Sequence, residues 1–218
     1  MTELSEVILA RHSSRMFLLD KPVERELLDE AFALAMRAPS NSNTQPWHAF
    51  LATGDRRAQL VTALLAAVDA APPQVQSAGL PPRFAEQRRR AGALVYGAMG
   101  IARDDAAGRW EAQRRNWEFF RAPVAGVVCM HRDFGDVDAI GVGMFLQTLL
   151  LALTERGVGS CVQVSIALYP DVVREQLEIP EELSVLCGLS IGYADPDFPG
   201  NGARMPRNPV ESNVVWVA

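Results

Sequence analysis

Apolar and polar positions alternate along this chain in blocks that change period, and the blocks predict its elements. Residues 3–11 read as a short helix. Pro22 opens a second helix, in which Leu27, Leu28, Ala31, Phe32, Leu34, Ala35 and Met36 form a wide stripe at helical spacing up to about Arg37. Pro39 stops it by biasing Ala38 away from the helical region. Residues 47–53 predict a strand, which the turn signal Gly54-Asp55 ends. A third helix over 56–70 carries Leu60, Val61, Leu64, Leu65 and Val68 on one side. Pro72, Pro73, Pro81 and Pro82 bracket a loop.

Residues 83–121 predict two polar helices rich in arginine and aromatic residues. A buried strand follows over 122–130, with Val124, Val127 and Val128. Residues 138–156 form the most apolar helix, ended by Gly157-Val158-Gly159. Its longest apolar run, Ala139 to Leu153, is interrupted by Gln147 and Thr148 and falls short of the roughly 20 residues of a membrane span, and predicts a helix buried on most sides, in a core or between subunits. Residues 160–166 read as a strand, 169–178 as a helix flanked by Pro170 and Pro180, and 183–193 as a long apolar strand. Residues 194–209 form a Pro/Gly loop, and 210–217 a last strand with no partner nearby in sequence. This order predicts an α+β (mixed α/β) fold, a central sheet flanked by helices. One domain over 1–218 with a helical insertion around 72–121 is expected.

Composition narrows the function classes. The 21 basic and 26 acidic residues give a net charge of −5, which disfavours nucleic acid and anionic membrane as partners. Cys129, Cys161 and Cys187 lie in apolar runs, fit neither a zinc pattern nor a disulfide framework, and suit a reducing cytoplasm. His12, His48 and His131 share no metal-ligand spacing. Gly188-Leu-Ser-Ile-Gly192 matches the letters of a nucleophile elbow, but no helix follows Ser190, so it reads as a sheet residue. Gly157-Val-Gly159 lacks the third glycine of a dinucleotide fingerprint, so no separate Rossmann site is evident.

Two polar stretches remain. Arg11-His12-Ser13-Ser14-Arg15 offers two guanidinium forks and two hydroxyls, a grip for phosphate or carboxylate. Pro39-Ser40-Asn41-Ser42-Asn43-Thr44-Gln45-Pro46-Trp47 is a polar loop held between a helix and a strand. Either alone also reads as an ordinary turn. Together, R-H-S-S-R and A-P-S-N-S-N-T-Q-P-W resemble the nitroreductase family of FMN flavoproteins over nearly the whole chain, and its nitrobenzoate-reductase-like branch in particular.

The resemblance implies a nitroreductase-like fold with a mainly antiparallel sheet, in an interlocked homodimer with an exchanged C-terminal strand and FMN at the subunit interface. It implies phosphate contacts from Arg11 and from Arg204 of Arg204-Met-Pro206, with Arg207 as a second cation. Ser13 and Arg15 fall to the ribityl and pyrimidine end, with His12 as a further cofactor-binding residue of the same stretch, and a cation near the N1–C2 carbonyl raises the flavin's tendency to accept hydride. Ser40 and Asn43 correspond to the loop that reaches flavin from the partner subunit. Backbone N–H groups of Val164 and Ser165 are expected near flavin N5, with residues 161–163 along the ring. Gln147 in the apolar helix either contacts flavin or packs the helix. Gly141 and Gly202 depart from the family, which commonly has Asp and a basic residue at these places.

The implied function is NAD(P)H-dependent reduction of nitroaromatic or related electron-poor aromatic compounds, by ping-pong hydride transfer through FMN. NADPH or NADH is the reductant, and no catalytic acid or base is named. Quinone or enoate reduction, reductive dehalogenation, flavin breakdown and non-enzymatic flavin binding are the alternatives. Trp110, Trp117, Phe119 and Phe120 of the insertion either cover the substrate or pack the insertion onto the core.

Overall fold

The computed structural model describes residues 3–73 and 80–217. Among the described residues, seven α-helices and four strands follow in this order: α1 (Leu4–Ala10), α2 (Arg25–Ala35), β1 (Trp47–Ala52), α3 (Gly54–Ala70), α4 (Ala85–Ala98), α5 (Ala106–Arg114), β2 (Val124–His131), α6 (Asp136–Glu155), β3 (Gly159–Gln163), α7 (Pro170–Leu177) and β4 (Leu183–Gly192). The expected loop between the proline pairs keeps its ends, while residues 74–79 lie outside the described ones.

The strands form one antiparallel sheet in the order β1-β2-β4-β3. β2 and β4 are central, and their near-continuous apolar sequence follows from cover on both faces. On one face α2 and α6 bring Leu28, Ala31, Phe145, Leu149 and Leu153 against Val128, Leu189 and Ile191. Trp47 stacks on Phe145 there, with ring centroids 5.1 Å apart. On the other face α3 and α7 bring Leu60, Leu64, Val68 and Val173 against Ala125, Val127 and Cys129.

Four expectations change. The strand expected over 160–166 ends at Gln163, and Val164–Leu168 turn into a 3₁₀ helix. Ile166 folds back over Gly188 and is buried; a β-carbon at Gly188 would overlap its side chain. The helix read as beginning at residue 56 starts at Gly54, so the supposed turn is its first turn. The helix over 138–156, expected to be buried on most sides in a core or between subunits, is buried along one side within this chain: Val142, Phe145, Leu149 and Leu153 face the core, while Val137, Ile140 and Met144 are exposed. The strand expected over 210–217 is a 3₁₀ turn at Val210–Ser212 followed by an irregular tail. No strand of this chain pairs with it among the described residues, and a strand without a partner has no ladder to form.

A strained turn joins the insertion to β2. Phe119, Phe120 and Arg121 all have positive φ, at 52°, 52° and 64°. The twist sends two consecutive phenylalanines into different clusters, Phe119 with Leu60 and Trp117, and Phe120 with Phe17 and Cys161. Arg57 holds it: this buried guanidinium donates to the carbonyls of Ala122 at 3.0 Å and Glu118 at 2.9 Å. Burial pushes the arginine's pKa down, and the nearby Glu118 acts against that.

Candidate functional site

β3 is an edge of the sheet, and the stretch after α1 covers it. Arg11 caps α1, and the chain then runs extended. Ser13 bridges Ser160 in parallel, and the Ser14 N–H donates to the Ser160 carbonyl at 3.0 Å. The second segment, 199–204, is pinned to the first by Asn201. The buried Asn201 amide accepts from the Arg15 N–H at 2.7 Å and donates to the carbonyls of Met16 at 2.8 Å and Asp195 at 2.9 Å. Its own carbonyl accepts from the Arg204 guanidinium at 2.7 Å. One side chain thus joins the two arginine-bearing segments, and it uses both amide protons in doing so.

The result is a cluster of cations. His12 sits among Arg11, Arg15 and Arg204. Its pKa is lowered, first by burial and then by these three arginines, while a hydrogen bond with the Ala10 carbonyl works the other way. Among the described residues, no carboxylate lies within 4.0 Å of any of the three guanidinium groups. Ser13 faces the Cys161 thiol, whose pKa burial raises to about 11 despite Arg15 and Arg11 nearby. A concentration of positive charge without its own counter-charge suits an anion. The Ser14 hydroxyl lies buried in the same segment without a partner. Arg207 is exposed and spends its donors on the carbonyls of Met205 and Pro206, rather than joining the cluster.

The end of β3 forms the adjoining wall. Val164 and Ser165 open the 3₁₀ turn, where the first N–H groups have no partner within the turn. Two bonds fix this stretch to the insertion: Gln163 Nε2 donates to the Asn116 carbonyl at 2.7 Å, and the Trp117 indole donates to the Ser165 carbonyl at 3.2 Å. Behind it, the buried Ser190 hydroxyl donates to Gln163 Oε1. That accounts for the serine of G-L-S-I-G as a sheet residue.

In the 40–45 loop, Ser42, Asn43 and Gln45 have positive φ, and Ser40 Oγ accepts from the Gln45 N–H at 2.9 Å. Asn43 stands exposed on this strained loop. Gly141 lets the loop sit close to α6, since a β-carbon there would lie 3.3 Å from Ser40 Cβ. Gln147 is exposed on the face of α6 that carries Ile140 and Met144.

An open cavity of about 1330 Å³ lies beside the cluster, with Arg15, Ser165 and Met205 on one side and α4 and α5 on the other. Trp117 reaches its lining but is otherwise buried, and the half-buried Trp110 packs on it at 6.1 Å. Phe119 and Phe120 are core residues with no free face, which corrects the expectation that they cover a substrate. Sequence reasoning missed Asn201 and Arg57. For Asn201 the available signal was an Asn between two glycines in the loop bearing R-M-P. Arg57 carried no signal, being one more polar position on an amphipathic helix.

The nitroreductase family model matches residues 8–193. The chain is 35% identical over 209 residues to a 4-nitrobenzoate reductase of Pseudomonas putida, covering 94% of this chain and 91% of that protein. It is 33% identical over 225 residues to a nitrobenzene nitroreductase of Ectopseudomonas oleovorans, with 98% and 96% covered. The FMN and NADPH-dependent nitroreductase NfnB from sphigopyxis sp. strain HMH is similar with a TM-score of 0.93 at 34% identity, over 100% of both chains. The FMN-dependent NfnB from Mycobacterium smegmatis, solved in complex with NADPH, gives 0.91 at 33% identity, over 99% and 98%. Sequence and fold agree along the whole described length, and the chain belongs to the nitroreductase family.

Proposed function

We propose that this chain is an FMN-dependent NAD(P)H oxidoreductase that reduces nitroaromatic or related electron-poor aromatic compounds, and that residues 1–218 act as one FMN-binding domain. The observation that carries this reading is the convergence of Arg11, Arg15 and Arg204 around His12, without carboxylates, through the Asn201 clamp. The donor set fits FMN. The arginines suit its phosphate, Ser13 suits polar groups of its chain, and the N–H groups of Val164 and Ser165 suit an acceptor on its ring.

When bound, FMN supplies the hydride chemistry. The protein's residues bind, orient and exclude water. Arg11 and Arg204 hold the phosphate, and Arg15 sets a positive charge at the ring's polar end. The Gln163–Ser190 and Trp117–Ser165 bonds keep the β3 end rigid, so its donors need no rearrangement on binding. Arg11→Ala and Arg204→Ala each remove a charge-assisted phosphate contact of about 1.5–3 kcal/mol, and each should lose flavin during extended dialysis. Full flavin content in both variants would overturn the phosphate assignment.

A homodimer completes the reading. Val137, Ile140 and Met144 on α6 and the tail with Trp216, 89% exposed, leave apolar surface that a second copy would cover. Ser40, Asn43 and Gln147 lie on or beside α6, where they would reach flavin held by the partner. Sedimentation of a monomer at micromolar concentration would sink this part. α6 has the length and composition of a membrane span, but one side of it packs against the sheet, which supports a core helix and a cytoplasmic enzyme without a membrane partner.

A further inference from the structure

The α4–α5 wall of the cavity carries a polar group that the reading above leaves without a task, the Tyr96 hydroxyl. Tyr96 is half-buried on α4 and lines the cavity with Arg109 and Gln113 of α5 and with Asn116 just beyond it. Its oxygen accepts from Gln113 Nε2 at 3.2 Å. Among the described residues, no group accepts from its O–H. Tyr169 is the contrast: its hydroxyl donates to the Ala71 carbonyl at 2.7 Å and so ties the start of α7 to the end of α3. Tyr169 spends its proton on fastening two elements, and Tyr96 does not.

The Tyr96 ring is held at its face and at its tip. The Arg109 guanidinium lies 4.3 Å over the ring centroid, and Gln113 fixes the hydroxyl end. A phenol has one proton to donate besides its lone pairs. Gln113 engages a lone pair, and the proton is left for the cavity. Further hydrogen bonds set where this hydroxyl stands relative to the end of β3. The Gln113 carbonyl accepts from Asn116 Nδ2 at 2.8 Å, and the Asn116 carbonyl accepts from Gln163 Nε2 at 2.7 Å. Val164 and Ser165 follow Gln163 directly, and Ser165 lines the same cavity as Tyr96. The hydroxyl is thus tied, bond by bond, to the stretch whose N–H groups are assigned to the flavin ring.

We infer that the Tyr96 hydroxyl donates a hydrogen bond to a nitro oxygen of the aromatic acceptor and so orients the nitro group beside the flavin. The inference rests on the proposed function and assigns a specificity-determining residue of that same site. No proton is transferred in this role. Negative charge gathers on the nitro oxygens as the acceptor is reduced, so a donor already fixed there favours the transition state over the ground state.

The test uses flavin-loaded wild type, Y96F and Q113E, each checked for flavin content and melting temperature. Y96F removes the donor and keeps the ring. Q113E keeps a hydrogen bond between positions 96 and 113 but reverses it, because a carboxylate only accepts, and the tyrosine proton turns away from the cavity. Nitrobenzene titrated onto the oxidised enzyme, followed by flavin absorbance, measures binding. Rapid mixing of the reduced enzyme with nitrobenzene, or with ferricyanide as a one-electron oxidant that needs no such contact, measures oxidation. Both variants should bind nitrobenzene more weakly and be oxidised by it about three- to tenfold more slowly, the range of one neutral hydrogen bond. Their oxidation by ferricyanide and their reduction by NADPH should match wild type. A mere tie between α4 and α5 predicts otherwise: Q113E would keep its nitrobenzene activity, and Y96F would lose melting temperature and slow every reaction alike. That result, or unchanged nitrobenzene binding and oxidation in Y96F, would overturn the inference. If Q113E loses its flavin, Y96F alone decides. If flavin-loaded wild type is not oxidised by nitrobenzene, the proposed function fails and takes this inference with it. If wild type is oxidised and Y96F reacts equally fast, only this inference fails.

Discussion

The two layers around the sheet and the α4–α5 arm are built on opposite plans. In the layers, α6, α2 and the central strands bury Phe145, Leu149, Leu153, Leu189 and Ile191 almost completely. In the arm, α4 buries no residue at all, and its exposed positions are Glu86, Gln87 and Arg88 to Arg90 together with alanine and glycine. The packed layers hold the end of β3 and the R-H-S-S-R segment in fixed positions. The arm holds one wall of the cavity through a few polar and stacking contacts. Holding a cofactor needs the first plan, and selecting what enters beside it is compatible with the other.

The same substitution in both regions gives the largest test of this contrast. Leu149→Ala leaves a cavity in a fully buried site and should cost about 3–5 kcal/mol by denaturant unfolding. Leu94→Ala on the half-buried side of α4 should cost under about 1 kcal/mol. Comparable losses would mean that the arm is part of the core. A middle-sized effect is expected at the joint between the regions. Arg57→Met removes two buried charge-assisted bonds from the strained 118–122 turn and should cost about 2–3 kcal/mol. The variant should also release Trp117 fluorescence from its buried value, and an unchanged unfolding midpoint would remove Arg57 from this role.

The smallest effect is in pH. The folded pKa of His12 lies below the usual imidazole value of about 6.5, so the unfolded chain takes up the proton more readily. The stability it contributes is complete above about pH 6.5 and is lost as pH falls through the folded value. The flavin-free protein should therefore lose stability on acidification below about pH 6.5, and His12→Gln should flatten that slope. Bound phosphate would offset the surrounding arginines, so the slope should shrink in the flavin-loaded form. An identical slope in His12→Gln would assign the effect elsewhere.

Much of the fold could be read from the apolar pattern, because α2 and α3 bury positions at helical spacing and β2 and β4 are near-continuous apolar runs covered on both faces. What period could not supply was information held in other parts of the chain. Ile166 turns off the strand because Gly188, on another strand, leaves room for it. Phe119 and Phe120 read as a pair on one surface, and their positive φ separates them into two clusters. The apolar residues at 210–217 read as a strand, but a ladder needs a partner that this chain does not offer among its described residues. In the site, R-H-S-S-R was legible because its residue types carry a chemistry. Asn201 was not, since its importance lies in reaching Met16 and Asp195 rather than in any pattern around it.

That reach has a consequence for how the enzyme is made. Arg15 and Asn201 are 186 residues apart in sequence. During synthesis, earlier parts of the chain can begin to pack as they emerge. The R-H-S-S-R segment cannot be clamped until Asn201 has followed it out, so the long-range closure comes late. The cation cluster is assembled after most of the sheet exists. Its repulsion is thereby postponed until a scaffold is present to bear it, and nascent chains should gain flavin affinity abruptly near the end of translation rather than in proportion to length.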